Sequence, residues 1–298
     1  MDKPTLDSGA VYDICTATAR PSGVCKALQG LKEIVVKAAA AYEVAAAQQA
    51  QHTLSHLKHQ PDGEPAAKPA EAAKVAKAAK AAKGSLNEQL KKTYVNRMVG
   101  GAGRAVYDKL RGSCHGLCAL CGHGAADTLD HQMPKDSFPL LSVVPVNLVP
   151  ACSRCNHQKR EQAPTYAGDQ TLHPYFDGDV HDHLWLFARI TGPPKPSVIF
   201  YVDPPADMPP TFAARARHHF AALDLSGLYN SQIGNELRSL GMSLAKHPLL
   251  PAELRGHLQE TAEIKAAVEG RNSWKAALYR GLVDSTWYVD GGWEEPWK

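Results

Sequence analysis

The chain has 298 residues, a net charge of +3 and seven cysteines. A chain of this length can bury a hydrophobic core without disulfide support, which excludes the small disulfide-stapled scaffolds. No stretch approaches the ~18 consecutive apolar residues of a membrane helix, and residues 1–20 lack the basic start and apolar run of a secretion signal. We therefore expect a soluble, cytoplasmic protein that contacts no membrane.

Positive charge is concentrated in the N-terminal third of the chain. Residues 1–112 carry 17 Lys and Arg against 10 Asp and Glu, whereas residues 178–298 carry 12 against 14. This distribution is typical of a region that contacts an acidic polymer.

Helical patterns precede the cysteine-rich part of the chain. From Ser22 to about Leu57, apolar residues recur every three or four positions and an alanine-rich run continues without a breaker, which predicts one long helix. Residues 60–84 form a linker of alanine and lysine, for which a solvated spacer is favoured over an arm that contacts phosphate. Ser85 with Glu88 then predicts the start of a second helix.

Further elements follow in chain order. The predicted elements are a short helix at 105–110, strands at 184–190 and 197–202, and helices at 211–222, 230–245, 251–268 and 273–283. Three of the five tryptophans lie in the tail, 287–298, which predicts that the tail packs against the body of the protein. These patterns divide the chain into an N-terminal helical region, 1–112, a cysteine-rich core, 113–177, and a mainly helical C-terminal region, 178–298.

Four of the seven cysteines form two Cys-x-x-Cys pairs, Cys118 with Cys121 and Cys152 with Cys155. Two pairs of thiolates supply the four soft ligands that tetrahedral Zn²⁺ prefers, and redox chemistry or coincidence explains two pairs less well. A site closed by four thiolates has no open position for water, so the predicted zinc ion is structural. Three neighbouring residues are alternatives as ligands but are interpreted as ordinary loop residues: Cys114, His115 and His123.

Polar residues lie between and after the two cysteine pairs: Asp130-His131, Asn147-Leu148, and Asn156 followed by Lys159. In this order, over Cys118 to Lys159, they resemble the zinc-bearing form of the HNH endonuclease family. The resemblance implies a β-hairpin followed by a helix, with one divalent metal ion at their junction. We therefore expect an α+β, mostly helical protein with a ββα-metal core.

The resemblance also implies a role for each matching residue. Asp130 and Asn156 would bind the metal ion, His131 would be the base that activates water, and Asn147 would brace the loop that presents His131. Lys159 would either lie near substrate phosphate or brace the fold.

The chemistry of these residue types agrees with phosphodiester hydrolysis. Carboxylate and amide oxygens suit Mg²⁺ or Mn²⁺, and imidazole, with an ordinary pKa of ~6.5, accepts a proton near pH 7. His157 is an alternative to Asn156 as the second ligand. Neighbouring residues on a strand face opposite sides, so Asp130 and His131 predict a bend at this strand end. Asp127 is interpreted as a surface-loop residue.

The expected substrate is nucleic acid, with DNA favoured and low sequence specificity. Basic residues near the site are predicted to contact phosphate, which carries no sequence information: Lys135, Arg154, Lys159 and Arg160. The residues 173–177 and 218–225 resemble sequences in the HNH subunits of Septu-type and retron-linked anti-phage defence systems. That resemblance covers Cys118 to about Leu240 and implies a role beside an ATPase partner.

Two other functions stay open at this point. The chain is alternatively a zinc-stabilised nucleic-acid-binding protein that does not cleave. It is alternatively an interaction protein whose N-terminal helices bind a partner or form an oligomer.

Overall fold

The computed structural model describes residues 1–19, 22–58, 86–193 and 195–294. It divides into two compact units, residues 1–178 and 179–298. Within the described ranges the protein is mostly helical with two small antiparallel sheets, so the predicted α+β class is confirmed. None of the helices in these ranges is long and apolar enough to cross a membrane. The predicted linker at 60–84 lies outside the described residues.

Three helices begin the first unit: α1 (Ser8–Thr16), α2 (Ser22–Gln29) and α3 (Lys32–Ala47). The prediction of one helix over 22–57 is wrong. Gly30, a residue with poor helix propensity, follows the end of α2. After α3 the chain turns and forms a 3₁₀ helix, Gln51–Leu57. Helix α1 packs against both α2 and α3. Each of the three helices has buried apolar residues.

The next helical elements agree with the predicted positions. Helix α4 (Leu86–Lys92) continues into a π-helical segment, Thr93–Val99, and α5 (Arg104–Arg111) follows. The apolar residues predicted to share one face are all buried: Leu86, Leu90, Tyr94 and Met98. Ser85, the predicted capping residue, lies outside the described residues.

Two short strands and a helix follow in the cysteine-rich segment. Strands β1 (Thr128–His131) and β2 (Leu148–Ala151) pair antiparallel, with His131 opposite Leu148, and α6 (Ser153–Lys159) comes directly after β2. Helix α5 packs against both strands, and α6 packs against β1. The two strands and the helix therefore bring the two Cys-x-x-Cys pairs and the polar residues of β1 into one region.

The N-terminal helices and the cysteine-rich segment share one hydrophobic core. Buried side chains of α1 to α5, β1 and the loop at 133–148 belong to a single cluster. The predicted boundary at 112 therefore falls inside a compact unit. The structure divides the chain after residue 178 instead, at the predicted start of the C-terminal region.

The second unit contains a β-hairpin and four α-helices in its described part. Strands β3 (Leu186–Thr191) and β4 (Ser197–Val202) form the hairpin. The helices are α7 (Pro210–Ala222), α8 (Leu225–Lys246), α9 (Pro251–Glu269) and α10 (Trp274–Asp284). The strands and helices predicted for this region are confirmed, with bounds that shift by a few residues.

One face of the hairpin is covered by helices. Helix α10 packs against β3, and α8 packs against β4. The approach is closest at Gly281, where a Cβ atom would lie 2.3 Å from the carbonyl oxygen of Ala188. In the tail, Tyr288 and Val289 are buried, which confirms the predicted packing for its described part.

Candidate metal centre and adjacent cleft

The four paired cysteines converge on one point. Their Sγ atoms all lie within 4.8 Å of one another, and all four side chains are buried. A tetrahedral ion with Zn–S bonds of ~2.3 Å holds its sulfurs ~3.8 Å apart, so the cluster needs only a small contraction to bind Zn²⁺. The cluster can therefore hold the predicted structural zinc.

Local backbone geometry explains how each pair presents its sulfurs. The amide of Gly124 donates to Sγ of Cys121, and the amide of Cys155 donates to Sγ of Cys152, both at 3.4 Å. A Cβ atom at Gly124 would lie 2.9 Å from Cβ of Cys152, so only glycine fits beside the second pair. The amide of Ala119 donates to the Pro150 carbonyl at 3.0 Å, which joins the first pair to β2.

The second cysteine pair also begins helix α6. Cys152 is the N-cap residue of α6, and its carbonyl accepts a hydrogen bond from the amide of Asn156 at 3.1 Å. Asp127 accepts from the amide and the hydroxyl of Ser153 at 2.7 and 2.9 Å, in the first turn of the helix. Its carboxylate therefore stabilises the start of α6. The position of Asn156 is thus coupled directly to the metal cluster.

A cleft of about 600 Å³ lies beside β1 and α6. It is lined by the predicted site residues Asp130, His131, Asn156, Lys135 and Arg160, and also by Pro134, Asp136, Ser153, His157 and Glu161. Asp130 and His131 thus both reach this cleft. The pairing of β1 with β2 contains no extra residue, and the chain bends immediately afterwards, at Gln132 and Met133.

His131 is held in one tautomer. Its Nε2 lies 2.8 Å from the carbonyl oxygen of Ser142, and a carbonyl only accepts, so Nε2 carries the proton and Nδ1 is an acceptor. The ring also packs edge-on against Tyr94, with centroids 4.4 Å apart. Burial lowers the pKa of His131 to about 3, so the imidazole is neutral near pH 7. The neutral ring can accept a proton at Nδ1, but a pKa this far below 7 makes it a weak base, because a general base is most effective with a pKa near the working pH.

Asp130 forms a buried ion pair with Lys159. The Lys159 ammonium lies 3.0 Å from Oδ2 of Asp130 and donates to the carbonyl oxygen of His131 at 2.6 Å. Burial raises the pKa of Asp130, and the charge of Lys159 opposes that shift. Lys159 is only 4% exposed, so the prediction that it contacts substrate phosphate does not agree with the structure. The contacts of Lys159 agree with the other role that the sequence left open, in which the lysine stabilises the fold.

Asn147 is fully buried and connects β2 to the loop that follows β1. Its Oδ1 accepts from the amide of Met133 at 2.7 Å, and its Nδ2 donates to the carbonyls of Met133 and Leu141 at 3.0 and 3.2 Å. The next residue in this loop, Ser142, supplies the carbonyl that binds His131. Asn147 therefore acts on His131 through the backbone of the loop.

Replacing Asn147 by alanine is expected to lower the free energy of unfolding by about 3 kcal/mol or more. The variant leaves a buried amide and two buried carbonyls without partners, at ~1–3 kcal/mol for each unsatisfied group. Urea unfolding of the zinc-loaded protein measures the change. The matched control is Asn96→Ala, an exposed position in the same unit, for which a change within ~0.5 kcal/mol is expected. Equal losses in the two variants would contradict this assignment.

Asn156 and His157 are neighbours on α6, and both line the cleft. Asn156 is half-buried, whereas His157 is exposed. Within the ranges that the structure describes, the four cysteines are the only group of three or more Cys, His, Asp or Glu side chains close enough to share an ion. A second ion in the cleft would therefore depend on Asp130 together with the amide of Asn156, or with His157.

The remaining basic residues differ in their positions. Lys135 and Arg160 line the cleft, and Arg160 is exposed, whereas Arg154 does not line it. Lys135 pairs with Asp136 at 3.0 Å, and Lys91 reaches the same carboxylate at 2.9 Å. The cleft therefore presents both positive and negative side chains to a ligand.

Sequence reasoning missed three contributions to the cleft. Tyr94 lies on the helical face that was predicted, but its contact with His131 depends on tertiary packing. Ser142 acts through a main-chain carbonyl, which no side-chain pattern reveals. Asp136 and Glu161 form a hydrogen-bonded pair that lowers the pKa of Asp136 and raises the pKa of Glu161. The position of Asp136 directly after Lys135 was the one available signal for this pair.

Comparisons with known proteins give one relative of substantial similarity. The chain is 33% identical over 222 residues to Protein ea31 of Escherichia phage lambda, and the aligned region covers 68% of this chain and 74% of that protein. No protein-family model matches the sequence. No solved structure matches it either.

Proposed function

We propose that this chain, which belongs to the family of Protein ea31 of Escherichia phage lambda, is a metal-dependent HNH endonuclease that hydrolyses phosphodiester bonds of nucleic acid. One observation carries the proposal. Asp130, His131 and Asn156 line a single cleft, and the hydrogen bond to Ser142 leaves Nδ1 of His131 free to accept a proton. The proposed ββα-metal core consists of β1, β2 and α6.

In this proposal His131 is the general base. A water molecule in the cleft gives a proton to Nδ1, while Nε2 keeps its bond to the Ser142 carbonyl, which stabilises the positive charge that the ring gains. Lys159 holds the His131 carbonyl and the Asp130 carboxylate together, and so limits movement of both residues at the strand end. Burial lowers the pKa of His131, so the ring is neutral before substrate binds.

The donor set of the cleft suits a hard cation. Asp130 offers a carboxylate that is almost completely buried, and Asn156 offers an amide oxygen from a helix fixed by the cysteine cluster. Such oxygen donors prefer Mg²⁺ or Mn²⁺, whereas the thiolates prefer Zn²⁺. When bound, the ion would stabilise negative charge that develops on the phosphate and the leaving oxygen. Lys135 and Arg160 would bind neighbouring phosphates, which gives affinity without base recognition.

Incubation of the full chain with supercoiled plasmid tests the proposal. Nicked and then linear plasmid are expected with Mg²⁺ or Mn²⁺ and not without an added divalent ion. Asn156→Ala should need at least roughly tenfold more Mn²⁺ for the half-maximal rate, because a ligand to the ion is lost. His157→Ala on the same helix is the matched comparison. If this variant needs the larger increase in Mn²⁺ concentration, His157 is the ligand instead of Asn156. Cleavage that is independent of divalent ions would contradict the proposal.

A second candidate is a zinc-stabilised nucleic-acid-binding protein that does not cleave. The ion pair between Asp130 and Lys159 favours it, because the carboxylate already has a cation beside it. This candidate predicts intact plasmid under every metal condition and nucleic-acid binding that persists in His131→Ala.

The cellular role is also part of the proposal. The resemblance of residues 173–177 and 218–225 to defence-system subunits supports a function in phage defence beside an ATPase partner. Low sequence specificity is also part of the proposal, since the cleft presents Lys135 and Arg160 to the phosphates of any sequence. The preference for DNA rests on the resemblance to the endonuclease family.

A further inference from the structure

The hairpin of the second unit has one covered face and one exposed face. Leu186, Ala188, Val198 and Phe200 point inward and are buried. The alternate residues point outward, because successive side chains of a strand face opposite sides. We call this surface the outer hairpin face, and it consists of Phe187, Arg189 and Thr191 on β3 and Ser197, Ile199 and Tyr201 on β4.

Large side chains on the outer hairpin face are open to solvent. Ile199 is 43% exposed and Tyr201 is 39% exposed. Phe187 lies opposite Tyr201 across the hairpin, and their rings are nearly parallel, with centroids 5.8 Å apart and planes inclined by 24°. The two rings therefore stack on each other across the paired strands, and the Tyr201 side chain is partly open to solvent.

The charge of this surface is positive. Arg189 is exposed and lies opposite Ile199, one pleat from the aromatic pair, and Lys195 is exposed in the turn of the hairpin. The six outward positions include no carboxylate. Asp203 follows the last residue of β4 and has the outward orientation of Tyr201, but it lies at the end of the hairpin away from Lys195. Cations therefore lie beside the rings on the turn side of the pair.

We propose that the outer hairpin face binds single-stranded nucleic acid, with bases stacked on Tyr201 and Phe187 and phosphates paired with Arg189 and Lys195. Aromatic side chains beside cations are the combination that binds single strands without sequence preference. A duplex offers its phosphates but keeps its base faces stacked inside, so this surface favours a single strand. This site lies outside the cleft and requires neither the cysteine cluster nor His131.

Fluorescence anisotropy with the full chain tests this inference, in buffer without added divalent ions. The probe is a labelled oligothymidine of about 20 nucleotides, longer than the ~4–16 nucleotides that one such surface covers. Tyr201→Leu keeps apolar area but removes the flat ring, and should raise Kd roughly five- to 100-fold. Arg189→Gln should raise Kd and reduce the slope of log Kd against log salt by about 0.7, as expected for one phosphate contact on a single strand.

Arg238→Gln, at an exposed position on α8, is the matched control and should leave Kd and the salt slope unchanged. Thermal unfolding checks that each variant is folded, and Phe187→Leu provides a second test of the stacking surface. Unchanged affinity in folded Tyr201→Leu and Phe187→Leu would overturn the proposal. A wild-type dimer that Tyr201→Leu converts to monomer would overturn it as well, because the face would then join two copies of the chain. Since binding is measured without divalent ions, its failure is distinct from failure of plasmid cleavage.

Discussion

His131→Ala is expected to lower the rate of plasmid cleavage by roughly 10²–10⁴-fold, the contribution of a positioned general base. In the proposed mechanism the imidazole accepts the proton at Nδ1, and alanine removes this group without altering any of the four paired cysteines. Cleavage rates at saturating Mg²⁺ or Mn²⁺ measure the effect. His257→Ala, at an exposed position on α9, is the matched control and should cleave at the wild-type rate.

A second substitution separates chemistry from folding. His131→Gln offers an amide N–H to the Ser142 carbonyl, so it preserves a donor to the loop but has no nitrogen that accepts a proton. The same loss of rate is expected, with thermal stability closer to that of the wild type. Cleavage by folded His131→Gln at the wild-type rate would exclude His131 as the base. Binding without cleavage in the wild type would instead favour the silent nucleic-acid-binding protein.

Cys152→Ser is expected to abolish stoichiometric zinc binding and to unfold the segment that carries the cleft. Zinc supplies ~10–16 kcal/mol of apparent binding free energy in small structural sites, far more than other single contacts contribute. Cys152 matters twice, since it is both a proposed ligand and the N-cap of α6. Zinc content by elemental analysis and the melting curve of the protein measure the effect.

Cys114→Ser is the matched control for the metal centre. Cys114 is half-buried and lies outside the four-cysteine cluster, so zinc content should remain one ion per chain. Retention of zinc by Cys152→Ser, or a wild-type protein that contains no zinc and melts identically with a chelator, would contradict the structural-zinc assignment.

The expected loss of plasmid cleavage and the expected loss of zinc binding are linked by α6. Because Cys152 is the N-cap of this helix and the helix carries Asn156, the loss of zinc that unfolds the segment should also abolish plasmid cleavage. In the proposed enzyme, a zinc ion that performs no chemistry would in this way control the second metal site. The position of Asn156 directly after Cys155, a proposed zinc ligand, would be the structural basis of this coupling.

The sequence alone was sufficient to predict the four-cysteine cluster and the helices and strands of residues 186–284. Two Cys-x-x-Cys pairs predict that four thiols meet at one point, because few other uses of thiols require that spacing. The four Sγ atoms do meet in the structure. The elements of residues 186–284 follow hydrophobic periodicity, a local property that packing within the second unit did not override. Asp130, His131 and Asn156 were predicted from motif order and line one cleft.

The structure decided the position and contacts of Lys159. From its sequence position, three residues after Asn156, the lysine was equally compatible with contact to phosphate and with a buried position that stabilises the fold. Only the tertiary fold shows that the ammonium lies between Asp130 and the His131 carbonyl, where it is screened from solvent. The contact between the Ser142 carbonyl and His131, which selects the tautomer of the imidazole, is likewise visible only in the tertiary structure.

The N-terminal helices show the physical limit of a local pattern. Gln49 adopts a φ of +56°, unfavourable for a residue other than glycine, and no breaker residue marks the end of α3. The side chain of Gln170 donates to the Gln49 carbonyl at 2.7 Å and accepts from the amide of His52 at 3.3 Å. Composition and spacing thus determined which residues form the four-cysteine cluster and where most helices lie. The end of α3 depends on a partner 121 residues away, because hydrogen bonds from a distant side chain can stabilise a backbone conformation that local propensity disfavours.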